Sequence, residues 1–504
     1  MQDENNVVNT KNKLKISILI TTIYALITLV AVLNHEIWAD EAQVWLLCKN
    51  LSVTELIRHL HNEGHPSLLY LLVMPFAKIS TNIIFMQLIC WLFMCMATFL
   101  LIYKSQFNAL IKTAIVLSAG FLYFLPVIAR GYSLIPFFTL MAAMLYSKRK
   151  EQPILYAIPL FFLANTHAIM FGFVGILFVC FLYELIKEKS FSKQNNSALI
   201  IIFLGLLLVV LQLYNTTQSN IHIAYNAENL IPKICKTISF FFINLYNNMI
   251  TTTKSMLLPI VDIPCILVLF LSFFTLIINL YINNKKLFLV AFSGIGFQFL
   301  IYFFIYNPNT YVTRIYCSLI ILIFCFWVLY EQNSFNEAQR VSKKQFTTIL
   351  LTLFFALTMY NGINYYSLEL KHNYAGAKET AEYIKNSLPK NAVYLIDNEP
   401  YLISLVYYLG DNYKLHSIIR NKTLNYVVWD DIEGSGLSNE ALFDYCVMLS
   451  KFKKDIYVIK SFAQERMQNT QPIENVKNNQ FELLFKSGYT IEPNEGYKIY
   501  KFIT

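Results

Sequence analysis

Apolar runs, most of about 20 residues and so long enough to cross a ~30 Å hydrocarbon core as a helix, recur along the first three quarters of the chain. They fall at roughly 16–34, 82–103, 110–129, 132–147, 153–166, 168–186, 197–214, 255–282, 287–306, 312–331 and 345–365. One further stretch, "GHPSLLYLLVMPFAKIS" at 64–80, is apolar but short, and carries Pro66, Pro75 and Lys78. The basic residues decide its status. If it lies along the interface, then Lys104 and Lys112, Lys148–Lys150, Lys187, Lys189 and Lys193, Lys285 and Lys286, and Arg340, Lys343 and Lys344 all share one side with the N-terminal lysines. The positive-inside rule therefore favours eleven spans and a cytoplasmic N-terminus. The loop 34–81 and everything after residue 366 then face the extracytoplasmic side.

The pattern changes after Lys371. Short strand-like stretches appear at 392–396, 425–429, 455–461, 481–485 and 496–503, with helical patterns at 376–388 and 439–452. Strands alternating with helices predict a small α/β domain. The expected fold is a polytopic all-α membrane core over 1–366, followed by an extracytoplasmic α/β domain over 367–504.

Composition agrees with that class: 56% of residues are hydrophobic and 14% charged, and mean hydropathy is +0.47. A net charge of +9 invites a nucleic-acid partner, but its placement in short loops is what membrane orientation requires. No nucleic-acid role is expected. The nine cysteines show no CxxC or His/Cys metal spacing, and six of them lie inside apolar runs, where Cys acts as a small hydrophobe. No bound metal is expected from them. Asn-, Lys- and Ile-rich usage suits a bacterial plasma membrane protein.

Polar residues gather at the outer ends of the apolar runs. Asp40 and Glu41 stand in "NHEIWADEAQVWLL"; His59, His61, Glu63, His65 and Pro66 follow; Arg130 and Tyr132 lie in "ARGYSL", Asn165 and His167 in "ANTH", and Arg314 in "YVTRIY". Each has a plain structural role open to it. Asp40 and Glu41 suit a helix N-terminus, Arg130 can snorkel, His65 precedes a proline turn, His167 suits an interfacial hydrogen bond, and Arg314 an ion pair. Together they put one acidic pair and several cations at one membrane face. That set suits transfer from an anionic lipid-borne donor to a hydroxyl, with a carboxylate as general base and cations meeting the charge on a departing phosphate.

The order of these motifs resembles the C-type (GT-C) membrane glycosyltransferases, in the branch of protein O-mannosyltransferases and lipid A aminoarabinose transferases. "WADEAQVWLL" after the first span and "EGHPSLLYLLVMPFAKI" after it carry the resemblance. It implies an all-helical core with a groove for a polyprenyl-phosphate sugar, and an inverting transfer to a protein, lipid or glycan hydroxyl. The resemblance puts the catalytic acid at Asp40, with Glu41 as neighbour or substitute, and His65 near the donor phosphate, where relatives often carry lysine. Arg130 and Tyr132 stand where several relatives have a second acidic residue, which puts a divalent cation in doubt. A transporter or flippase of lipid-linked glycans is the alternative, although no inverted repeat or matched pair of broken helices is found.

Overall fold

A computed structural model describes residues 2–214, 230–247, 260, 262–304, 312–332, 340–396, 398–429, 437–453, 455–462, 473 and 480–503. The apolar runs are helical, as backbone in lipid must be to satisfy its own N–H and C=O groups. Among the described residues eight helices are long and apolar enough to cross a membrane, the first Lys11–Asn34 and the last Val341–Glu369. The three other expected stretches are broken or short. Ala109–Leu117 and Gly120–Val127 form a pair bent by 54°, and Gly131–Tyr146 and Pro153–Ala164 are short apolar helices. Residues 255–259, 261, 305 and 306 of two expected spans lie outside the described residues.

One helix, Thr313–Glu331, is buried along its whole apolar length. The bundle packs around it, and this brings Arg314, at its first turn, into the protein rather than the lipid. An additional helix, Leu230–Asn247, was not expected. Lys233 and Lys236 interrupt its apolar positions, so no long run marks it. It packs against the helices Arg340–Glu369 and Asp262–Asn283.

The first helix α1 (Gln2–Asn34) is followed by α2 (Ala39–Asn50), α3 (Val53–Glu63), α4 (Leu68–Ile79) and α5 (Ile84–Lys104). Helix α3 starts in a capping box: the Ser52 hydroxyl accepts the Glu55 N–H (3.4 Å) and the Glu55 carboxylate accepts the Ser52 N–H (2.8 Å). It ends at Gly64, whose φ of 66° is the left-handed conformation of a helix stop, and the chain turns there into His65-Pro66. Helix α4 has 12 residues, about 18 Å of helix, too short for a ~30 Å core. This is the element expected to lie along the interface.

Among the described residues the C-terminal region forms one six-stranded sheet in the order β3-β2-β1-β4-β6-β5. Its strands are β1 (Val393–Ile396), β2 (Leu415–Ser417), β3 (Lys422–Thr423), β4 (Ile456–Ser461), β5 (Phe481–Lys486) and β6 (Tyr497–Phe502). Strand β1 runs parallel to β2 and β4, with Tyr394 opposite both Leu415 and Tyr457; the other pairings are antiparallel. The expected strand at 425–429 is not one. Val427 instead exchanges backbone hydrogen bonds with a side chain of α2: its N–H donates to Gln43 Oε1 (2.9 Å) and its carbonyl accepts from Gln43 Nε2 (2.8 Å). The side-chain amide takes the place of a neighbouring strand.

More contacts fasten the sheet domain to the first loop. Ile37 N–H donates to the Tyr408 hydroxyl (3.2 Å), Ile83 N–H to the Tyr407 hydroxyl (3.1 Å), and Lys49 pairs with Asp411 (3.1 Å). The buried Glu495 accepts the Ala39 N–H at the start of α2 (3.2 Å), together with the hydroxyls of Ser404 (2.9 Å) and Tyr497 (2.7 Å). Burial pushes this carboxyl up to about 8, against the lowering by its hydrogen-bond donors. A group raised above its unfolded value stabilises the fold at low pH and loses that contribution as pH climbs through its folded value. Thermal stability should therefore fall between about pH 4.5 and pH 8, and Glu495→Gln should flatten that fall; an unchanged slope in the variant would assign it to another group.

Candidate active site

Asp40 occupies the first turn of α2 and keeps 29% of its side-chain surface open. Arg130 follows the bent helix pair as the chain turns into Gly131–Leu134. Its guanidinium reaches Asp40 twice: Nη1 lies 3.2 Å from Oδ2 and donates to the Asp40 carbonyl at 2.5 Å. The second amino group, Nη2, lies 3.3 Å from His65 Nε2. His65 Nδ1 stands 2.5 Å from the carbonyl of Glu63, an acceptor, so Nδ1 carries the proton and Nε2 presents its lone pair to Arg130. Burial, followed by the charge of Arg130, pulls His65 down to about 3. Its ring is neutral at physiological pH, and it accepts from the arginine rather than adding to the cations.

The set continues inward. The His65 ring meets His167 edge-on at 4.6 Å, and His167 stacks on Tyr132 at 4.6 Å. His167 Nδ1 accepts the Ile169 N–H (3.1 Å), which leaves Nε2–H to donate to the Tyr132 hydroxyl (3.0 Å). The same hydroxyl accepts from Arg314 Nε (2.8 Å), and the Arg314 carbonyl accepts from the Tyr302 hydroxyl (2.6 Å). His167 is held far below its ordinary range by burial and by the neighbouring His65, Arg314 and Arg130. Six residues from five separate elements thus form one connected chain: Asp40, Arg130, His65, His167, Tyr132 and Arg314. Arg130, Tyr132, His167 and Arg314 are buried; Asp40 and His65 are its partly open members.

Glu41 is not part of it. One residue further along α2 its side chain turns about 100° around the axis and is wholly buried. Its Oε1 accepts the Ala129 N–H (2.6 Å) and its Oε2 accepts the Trp38 N–H (3.2 Å) and faces His35 Nε2 (2.9 Å). The acidic pair is divided between an open carboxylate and a buried one. The other polar residues at this end of the bundle make local contacts. Glu63 accepts from Gln43 Nε2 (2.8 Å) and meets His59 (3.3 Å), His61 contacts the Arg58 carbonyl (2.6 Å), and Asn165 donates to Phe161 and Gly205 carbonyls (2.9 and 3.1 Å). Among the described residues, no three His, Cys, Asp or Glu side chains come together to hold a metal ion.

Backbone approach brings the two inner turns together. A Cβ on Gly131 would lie 2.6 Å from the Thr166 carbonyl oxygen, inside contact distance, so only glycine lets "ARGY" rest on "NTH". Gly131→Ala should push Tyr132 off His167 and cost about 1–3 kcal/mol as overpacking does. Thermal unfolding checks it, and an unchanged midpoint would show that the turn can give way.

No protein-family model matches the sequence, and no curated protein is similar to it. Solved structures do match over nearly the whole chain. The crystal structure of ArnT from Cupriavidus metallidurans bound to undecaprenyl phosphate aligns with 96% of this chain and 97% of that one, at 9% identity and a TM-score of 0.51. The apo-state structure of the same protein covers the same shares at 10% identity and a TM-score of 0.54. At these identities the likeness is one of fold: a membrane helical bundle, followed by the small C-terminal sheet domain that the strand and helix pattern predicted.

Proposed function

We propose that this protein is an integral membrane glycosyltransferase that moves a sugar from a polyprenyl-phosphate donor to a hydroxyl acceptor on the extracytoplasmic face, with Asp40 as general base. The observation that carries this reading is the open carboxylate of Asp40 paired with Arg130 and joined through His65, His167 and Tyr132 to a buried second arginine, at the end of the bundle covered by the sheet domain. Undecaprenyl phosphate bound to ArnT, which shares the fold, supports the donor class, and the charge bias of the loops supports the extracytoplasmic side.

In the proposed step, Asp40 takes the proton of the acceptor hydroxyl as its oxygen attacks the anomeric carbon from the face opposite the phosphate. The bond between that carbon and the phosphate oxygen breaks, and its electron pair leaves on the phosphate, inverting the sugar. Arg130 and Arg314 meet the added negative charge, and Tyr132 and His167 hold Arg314 in place. His65, neutral, aims the Arg130 fork by accepting from it. Glu41 holds the start of α2.

The test compares envelope glycans and glycolipids by mass spectrometry between a deletion strain and the strain carrying the wild-type gene. One fixed sugar mass should return with the gene. Accumulated lipid-linked glycan of unchanged composition would instead indicate transport.

A further inference from the structure

Behind the open site lies a second cluster of charge. His35 stands between α1 and α2, wholly buried, with a carboxylate on each ring nitrogen: Nε2 is 2.9 Å from Glu41 Oε2 and Nδ1 is 3.2 Å from Glu369 Oε1. Glu369 ends the last membrane helix, and its other oxygen accepts the Tyr123 hydroxyl (2.5 Å) from the bent helix pair. The oxygens of Glu41 take two backbone N–H groups besides the ring. Neutral imidazole has one N–H and one lone pair. A lone pair aimed at either carboxylate would leave two buried acceptors facing each other.

We infer that His35 is a buried imidazolium that clamps Glu41 and Glu369 and, through Glu41, positions the Asp40–Arg130 pair, so that it is a positioning residue for the site. Glu41 is the link because it grips both halves of that pair, as the residue after Asp40 and as acceptor for the N–H of Ala129, which precedes Arg130. The clamp spans 334 residues of sequence and ties the first outer loop to the helix on which the sheet domain is mounted. Among the described residues, the other groups against His35 are not cations. Tyr374 packs edge-on at 4.6 Å, Gln87 donates to the His35 carbonyl (3.3 Å), and the adjacent Glu36 faces Lys378 at 4.0 Å. Burial pulls the ring down, but Glu41 and Glu369 outweigh it and hold it up to about 10. The neighbouring Glu36 carboxyl is itself pushed up to about 7, by burial.

The protonation state can be read without any assay of transfer, so this inference can fail separately from the proposed activity on which its functional half rests. The full chain, labelled with 15N-histidine in detergent micelles, would be followed by NMR from about pH 6 to pH 9, with His35→Gln assigning the signal. Both His35 ring nitrogens should stay protonated across that range. A neutral tautomer at about pH 7.5, where an ordinary histidine is neutral, would overturn the inference. The functional half uses charge balance. His35→Gln leaves two buried carboxylates with no cation between them and should lower kcat about tenfold or more, the size of effect that misplacing a catalytic group produces. Adding Glu369→Gln restores the original buried charge and should recover most of the loss. A double variant no better than the single one would show that charge at His35 does not position the site.

Discussion

Asp40→Asn should reduce turnover by about 10²–10⁴-fold, the range a positioned general base contributes, while the protein inserts and folds as the wild type does. The substitution changes little else. Arg130 is anchored to the Asp40 backbone carbonyl as well as to its carboxylate, and an asparagine oxygen can still accept from the guanidinium. What is lost is the capacity to take a proton and the negative charge opposite Arg130. Donor affinity should therefore change less than turnover, because the phosphate would meet the same two arginines. The measurement is steady-state transfer by purified protein at saturating donor, with unfolding temperature as the control for structure. Transfer within about threefold of wild type, less than 1 kcal/mol of transition-state stabilisation, would leave Asp40 only the role of an acidic residue in the first turn of α2.

The parts legible in the sequence are those that a membrane forces into the open. Apolar runs and the lysines between them mark the spans, since hydrocarbon thickness and loop charge leave few alternatives. Asp40, His65, Arg130, Tyr132, His167 and Arg314 each stand near the end of such a run, and fold topology is enough to bring those ends together. The direction in which a side chain points is another matter. Asp40 and Glu41 are adjacent letters with the same chemistry, yet one helical step sends one to the site and the other to the interior. His35 and Glu369 could not be matched because their contact bridges 334 residues and neither belongs to a periodic pattern. The segment 425–429 has the β-branched and aromatic content of a strand, but its hydrogen-bonding partner is Gln43, so composition alone misassigned it. Helix Leu230–Asn247 was missed for the opposite reason: Lys233 and Lys236 break the apolar run that would have marked it.

That division of the acidic pair leads to a contrast between two variants. Glu41→Gln should cost about 3–5 kcal/mol of stability, as breaking a buried ion pair by removing one partner does, and the folded fraction should keep more activity than Asp40→Asn. The geometry explains the cost. Three N–H groups point at the two Glu41 oxygens, from Ala129, Trp38 and His35. An amide has one oxygen and one NH₂, so whichever way it lies the NH₂ faces at least one donor. That donor is then buried without an acceptor, a loss of about 1–3 kcal/mol, and His35 loses a counter-charge in addition. Chemical denaturation in micelles, compared with turnover per folded molecule, separates the two effects. If Glu41→Gln leaves stability untouched but removes transfer as Asp40→Asn does, Glu41 takes part in the chemistry and the two carboxylates work as a pair. If stability falls while the remaining folded protein still turns over, the open residue carries the proton and its buried neighbour holds the helix in place.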